Sequence, residues 1–253
     1  MDILSTEQFE KLKIRPVNAK NISGQVESKC KYKITKHAVT DIDGNSYDAI
    51  SIGDQLWMLS NLRTKHLTDG TELKRFKDSV FGSLPYVEYP NVDEPEIKDY
   101  GLYYNFYAAA TEKLAPEGWR IPTYADWDKL FEYIINNKDC NLTPSDKNIQ
   151  TAHISKSLCS TNGWNGPSVD KNHTDYVGSD ESINNISGFN IFPAGMFSDD
   201  GVCYDVGFAA NMMSLGNGGK ARGHYVYMYC YNSVVLHGQR NMRYGYSIRC
   251  IKD

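Results

Sequence analysis

The sequence predicts an α+β fold, in which two helical segments precede a strand-rich C-terminal half. Three observations carry this. Residues Thr123 to Ile135 have a capped N-terminus and a single apolar stripe at helical spacing. Asn105 to Thr111 is a second, short, alanine-rich helical segment. From Gly188 onward the chain reads as short strands separated by Gly and Asn turns.

Taken in order, Glu7 to Ile14 reads as a short helix with Phe9 and Leu12 on one face, stopped by Pro16, and Lys20 to Ser28 is polar and irregular. Residues 1–38 are therefore read as an arm or attachment segment, and residues 39–253 as one domain with no second linker of comparable length. Val39 to Ile52 reads as a β-hairpin whose turn residues Asp43-Gly44-Asn45 tolerate positive φ. Asp41-x-Asp43-x-Asn45 also resembles the opening of a calcium loop. Ile52 stands where the later acidic ligand belongs, so a turn is the better reading. Residues 82–99, with Pro85, Pro90 and Pro95, read as a long irregular loop.

In the best helix, Thr123 is the N-cap, with Asp126 three residues on in the capping-box position. Pro122 holds the preceding backbone extended. Trp127, Leu130, Phe131, Ile134 and Ile135 form the apolar stripe, while Asp126, Asp128, Lys129 and Glu132 are expected to face water. Burial of Trp127 and Phe131 contributes roughly 2–3 kcal/mol each. Residues 137–188 are polar and loop-rich. Beyond them, Tyr225, Tyr227, Tyr229 and Tyr231 share one strand face by period two, and Val226, Met228 and Cys230 share the other. In the closing strand Tyr244, Tyr246 and Ile248 alternate with Gly245, Ser247 and Arg249.

Composition bounds the function. A formal net charge of −4 gives no basic field and excludes nucleic acid as the main partner. No apolar run reaches the ~18 residues a membrane span needs. Met1 to Glu7 shows neither a basic region nor an apolar core, so no secretory leader is read there, and folding in a reducing cytoplasm is the expectation. The six cysteines form no C-x-x-C pair, so free buried thiols are expected, with a Cys140–Cys159 disulfide left open. Tyrosine is in excess, 18 against 9 Phe and 4 Trp, which fits either a recognition surface or half-buried strands.

Four blocks, in order, resemble the Fibrobacter succinogenes major paralogous domain, a C-type-lectin-like family. The first is Asp43-Gly44-Asn45-x-Tyr47 with Ile52-Gly53-x-Gln55-x-Trp57-Met58-x-x-Asn61-Leu62. The second is Tyr100-Gly101-x-x-Tyr104-Asn105-x-x-Ala108-Ala109, leading to Pro116-x-Gly118-Trp119-x-x-Pro122-Thr123-x-x-x-Trp127. The third is Ser187-Gly188-Phe189 with Pro193-Ala194-Gly195, and the fourth is Tyr244 to Cys250. The resemblance implies two helices packed on a small, mostly antiparallel sheet with long loops, and N- and C-terminal strands of the domain that lie near each other. Two positions depart from the family pattern. Ala115 stands where the family usually carries a cysteine, which leaves Cys250 without the partner the resemblance implies. Asn211-Met212-Met213-Ser214 replaces an aromatic-Ser-Ser strand.

Enzymes of this fold need reactive cysteines or clustered histidines. The histidines at 37, 66, 153, 173, 224 and 237 show no H-x-H or H-x-x-x-H spacing, and no phosphate or dinucleotide loop is present. Calcium-dependent sugar binding is also disfavoured, because Trp164-Asn165-Gly166 lacks the final carboxylate and Glu94-Pro95-Glu96 lies in the wrong part of the chain. No catalytic residue, cofactor or metal is expected. Residues 216–244 concentrate Gly, Asn, Tyr, His, Arg and Ser, which suit adaptable contacts on a rigid scaffold. The candidate ligand-binding residues are His224, Tyr225, Tyr227, Tyr229, Asn232, His237, Gln239, Arg240 and Asn241. The alternative is that the tyrosine face packs against the loops of 137–188. The expected role is a recognition or structural module on an exterior surface. It is read as a virion protein that binds host-surface glycan or protein and oligomerises through residues 1–38; a bacterial cell-surface or periplasmic binding protein is the alternative, and a metal-dependent oxidase a more distant one.

Overall fold

The computed structural model describes residues 30–76, 84–92, 94–142, 153–165, 173–216 and 223–253. The helix expected at Glu7 to Ile14 lies outside them. At the first turn, one Asp41 carboxylate oxygen accepts from the backbone N–H groups of Asp43 (3.0 Å) and Asn45 (2.9 Å), and the other accepts from the Tyr47 hydroxyl (2.6 Å). Asp43 in turn accepts from the Thr64 hydroxyl and the Lys65 N–H. Both carboxylates thus fasten a turn, as the composition of that turn predicts. The turn joins β1 (Tyr32–Thr40) to β2 (Ser46–Ile52), antiparallel in register Tyr32↔Ile52 and Thr40↔Ser46, and β3 (Gln55–Met58) pairs with β2 on the far side. The first strand begins at Tyr32, so the end of the segment read as an arm belongs to this sheet.

The stretch expected to be irregular loop holds two elements. After β4 (Lys74–Arg75) comes β5 (Tyr86–Glu88), buried at all three positions, and then α1 (Glu94–Tyr100). Pro95 is tolerated because it falls in the first turn, where the N–H has no helical partner to lose. The chain continues through β6 (Tyr103–Asn105), α2 (Phe106–Ala109), β7 (Trp119–Arg120), α3 (Tyr124–Asn136) and α4 (Ser155–Leu158). The remaining strands are β8 (Met196–Phe197), β9 (Cys203–Tyr204), β10 (Ala209–Ser214), β11 (Gly223–Tyr229), β12 (Leu236–Arg240), β13 (Gly245–Ser247) and β14 (Ile251–Lys252). Among the described residues there are four helices where the resemblance implied two, and the sheets dominate.

One sheet runs β1-β2-β3-β14-β7 and the other runs β12-β11-β10-β13-β6-β5-β4, with β8 and β9 appended at β13. The stretch expected as one closing strand therefore divides: β13 pairs with β6, and β14 crosses to the first sheet between β3 and β7. This brings the two ends of the domain together.

The α3 helix carries the capping box read from sequence. The Thr123 N–H donates to Asp126 at 2.7 Å, and the Asp126 N–H donates to the Thr123 hydroxyl at 3.4 Å. Asp126 is half-buried rather than exposed, because Arg120 grips it with two bonds of 2.6 and 2.8 Å. The five stripe residues are all buried. Trp127 packs on Trp57 of β3 (ring centroids 4.7 Å) and on Phe189 (6.0 Å). The same core contains Ile50 and Ile52 from the first sheet and Val226 and Met228 from the second, so α3 is wedged between the sheets. A second core, with Tyr47, Met58, Tyr104, Tyr225, Tyr246 and Ile248, fills the opposite faces.

Arg249 is fully buried. Its guanidinium donates to Asn61 Oδ1 (3.3 and 3.2 Å), to the Phe189 carbonyl and to the Asn190 carbonyl (3.2 Å), and it lies 4.9 Å from the Phe189 ring. Asn61 Nδ2 donates onward to the Tyr100 carbonyl at 2.8 Å. Gly195 closes the region around β8: its φ is +70°, and a β-carbon there would strike the Tyr204 carbonyl.

The cysteine expectation needs correcting. Cys30 and Cys140 form a disulfide across 110 residues, while Cys159, Cys203, Cys230 and Cys250 are free thiols. A pairing at that separation leaves no local mark in the sequence.

Candidate functional site

Strands β11 and β12 form an antiparallel ribbon at one end of the larger sheet, with His224 opposite Gln239, Tyr225 opposite Gly238, Val226 opposite His237 and Tyr227 opposite Leu236. Opposed residues share a face. This register divides the residues selected from sequence into two groups. Tyr225, Tyr227, Tyr229 and Arg240 lie on one face. His224, His237 and Gln239 lie on the other, the face of Val226 and Met228 that packs toward α3.

The tyrosine face is a continuous ladder. Ring centroids are 5.3 Å apart from Tyr225 to Tyr227, 5.5 Å from Tyr227 to Tyr229 and 5.0 Å from Tyr229 to Tyr231. At its inner end Tyr225 stacks on Tyr246 at 4.8 Å, and Tyr244 follows at 6.5 Å from Tyr246. Exposure rises along the ladder, from 7% at Tyr225 to 53% at Tyr231. Gly238 makes this geometry possible, because the Tyr225 ring lies across it where a side chain would otherwise stand. Burial raises the Tyr225 and Tyr229 phenols above their ordinary value, so both are neutral at physiological pH. The surface therefore offers aromatic area with uncharged donors and acceptors, flanked by the exposed Arg240 and the half-buried Arg243.

The described residues of the 137–188 loops pack on the other side of the sheet rather than over this face. Among them, Ile154, Leu158, Cys159, Trp164 and Val177 pack in the core with Val226, Met228 and Cys230.

His224, His237, Asn232 and Asn241 have structural partners. His224 and His237 flank the Tyr124 ring at 4.7 and 4.6 Å, and His237 Nε2 lies 3.3 Å from Asp128. Burial lowers the pKa of both imidazoles; at His237 the Asp128 carboxylate opposes it. Asn232 accepts from the Ser233 (2.7 Å) and Val234 (3.1 Å) N–H groups and so shapes a turn. Asn241 does the same for Arg243 (3.2 Å) and is exposed, as are Gln239 and Arg240. Tyr231 and Tyr244 belong to the ladder but were not among the selected residues. Their signal was the same alternation, continued one step past the end of β11 and into the strand at Tyr246.

One side-chain cluster has the composition of a hydrolytic triad. His153 Nδ1 lies 2.6 Å from Ser233 Oγ and 3.1 Å from Asp175 Oδ2. A proton relay needs the hydroxyl and the carboxylate on different ring nitrogens. Here both meet Nδ1, so the carboxylate cannot orient the ring while Nε2 activates that serine. Burial pushes the Cys203 and Cys230 thiols up to about 11, which keeps them protonated and weakly nucleophilic. They lie in separate cores.

No curated protein and no solved structure matches the chain. The family model described as the Fibrobacter succinogenes major domain matches residues 50–252. The match starts inside β2 and ends in β14, so it takes in the α3 helix, the buried Arg249 and the whole tyrosine ladder. The chain belongs to the Fibrobacter succinogenes major domain family.

Proposed function

We propose that this chain is a non-enzymatic recognition module of C-type-lectin-like architecture, displayed on an exterior surface such as a virion, where it binds a host-surface glycan or protein. The tyrosine ladder carries this reading. An aromatic strand face runs from the core into solvent on a rigid sheet and presents neutral hydroxyl groups, while the described residues of the 137–188 loops pack on the opposite side. Tyrosine supplies large contact area at a small entropic cost, which suits recognition better than catalysis. The residues that precede β1 would supply attachment and oligomerisation.

The test uses the full chain and a variant with Tyr227, Tyr229 and Tyr231 all changed to alanine, both applied to a glycan array and to immobilised bacterial envelope fractions. Binding by the parent that drops at least about 10-fold in the folded variant supports the reading. Equal binding by both proteins, or no binding by either, would refute it.

The disulfide favours a second reading, a bacterial cell-surface or periplasmic protein. Disulfides form and persist in oxidising surroundings, and Cys30–Cys140 would close during export. Thiol labelling of protein from cytoplasmic and exported fractions separates the two readings.

A further inference from the structure

Strand β1 is weakly held by its own contacts. It is the edge of its sheet, hydrogen-bonded on one side only, to β2. Six of its first seven residues, Tyr32 to His37, are exposed, and the only apolar packing toward the second core comes late, from Ala38 and Val39. Its register with β2 is interrupted between Thr35 and Val39, where His37 has φ of 50°. An irregular, solvated edge of this kind opens easily. The strand is held by the ladder at Tyr32 to Thr35, by the pairs Val39↔Tyr47 and Thr40↔Ser46 after the break, by the Tyr32 ring over Gly188, and by three contacts near the break. These are Lys36 with Asp48 (2.7 Å), the His37 N–H to Asp48 (2.9 Å) and His37 Nδ1 with Ser46 (2.9 Å).

The disulfide lies just before this strand. Cys30 precedes Tyr32 by two residues, and Cys140 follows the end of α3, fully buried with its N–H bonded to the Asn137 carbonyl at 2.9 Å. The bond thus ties the free end of a loose edge strand to the most regular helix of the core. We infer that Cys30–Cys140 is a redox-controlled latch on β1. While closed, it holds the amino-terminal end of β1 beside α3. Once open, β1 peels from β2 as far as the turn at Asp41, releasing about 30 Å of extended chain from ten residues. Closing converts two thiols to one S–S bond, with the two protons and two electrons passing to a disulfide-bearing oxidant that becomes a dithiol. Opening by a dithiol reductant is the reverse exchange.

Lys31, Lys33 and Lys36 place trypsin sites before and within the strand. The full chain and its Cys30→Ser variant are digested under native conditions and the cuts mapped by mass. Cys30→Ser is expected to be cut at these lysines at least about 10-fold faster than the oxidised parent, leaving a resistant fragment that contains α3 and β14. Parent protein reduced and alkylated should behave like the variant. Equal cleavage of all three proteins at these sites would overturn the latch. So would simultaneous cleavage throughout the domain in the variant, or a non-reducing peptide map of the oxidised parent without the Cys30–Cys140 link.

Discussion

Replacing Arg249 with methionine tests how the C-terminal segment is held. Methionine matches the length of the arginine stem but donates no hydrogen bond. The change leaves three acceptors without their guanidinium partner: the buried Asn61 Oδ1 and Phe189 carbonyl, and the part-buried Asn190 carbonyl. Each orphaned acceptor costs about 1–3 kcal/mol. Relief from burying a charge opposes this, since burial already pulls the guanidinium pKa down to about 9. Orphaning should prevail, because among the described residues no other donor reaches these oxygens, and three such losses less the relief leave a net cost of about 3–5 kcal/mol. For a domain of this size that corresponds to a Tm lower by roughly 6–20 °C. Urea and thermal unfolding followed by circular dichroism measure it. Arg249→Lys should fall between the two, since an ammonium cannot span three acceptors in a plane. A double-mutant cycle with Asn61→Ala should show coupling above about 1 kcal/mol. A loss below about 1 kcal/mol for Arg249→Met, at an unchanged m-value, would mean that the guanidinium fills space and nothing more.

Three further predictions follow from the site and its supports. Burial would raise the Asp126 pKa, but Arg120 and Thr123 hold it at about 2, below its ordinary 3.8. Its stabilisation is present above pH ~4 and is lost as pH falls toward 2, so the stability gap to Asp126→Asn should be about 1–2 kcal/mol at neutral pH, discounted because Arg120 is 42% exposed, and should close across that window in pH-dependent melts. The folded-state pKa of His237 lies below 6.5, lowered by burial, so the unfolded chain takes up its proton first as pH falls; His237→Gln should flatten the decline in stability below pH ~6.5, and an unchanged slope would refute the assignment. Gly238→Val puts a branched side chain where the Tyr225 ring lies, and should cost about 1–3 kcal/mol while altering the near-UV signal of the tyrosine ladder; a native signal would refute the packing argument.

The features legible in the sequence were those whose causes are close together along the chain. The cap at Thr123 and Asp126, the stripe from Trp127 to Ile135, the Asp41 turn and the alternation from Tyr225 to Tyr231 each depend on residues within one element. Pairings across long separations were not legible. Cys30 meets Cys140, Ile251 reaches Trp57 and Arg120, and Arg249 binds Asn61, without any local trace of these contacts. The short strand at Tyr86 and the helix at Glu94 were hidden by the prolines around them. For the candidate site, period two already separates His224 from the tyrosines. Assigning His237 and Gln239 to the histidine face also required the β11–β12 register, and only the tertiary fold shows that the described residues of the 137–188 loops pack against that same face.

The place of β14 bears on synthesis and on engineering. The strand that comes last in order among the described residues is an interior member of its sheet, with β3 on one side and β7 on the other. A chain stopped short of Ile251 would hold both neighbours with their inner edges unpaired, exposing backbone donors and acceptors that invite mispairing. Closure of this sheet therefore waits until the residues of β14 have been made. For the same reason, a circular permutant opened at the 41–45 turn, with β14 kept internal, should be better tolerated than any trimming at the carboxyl end.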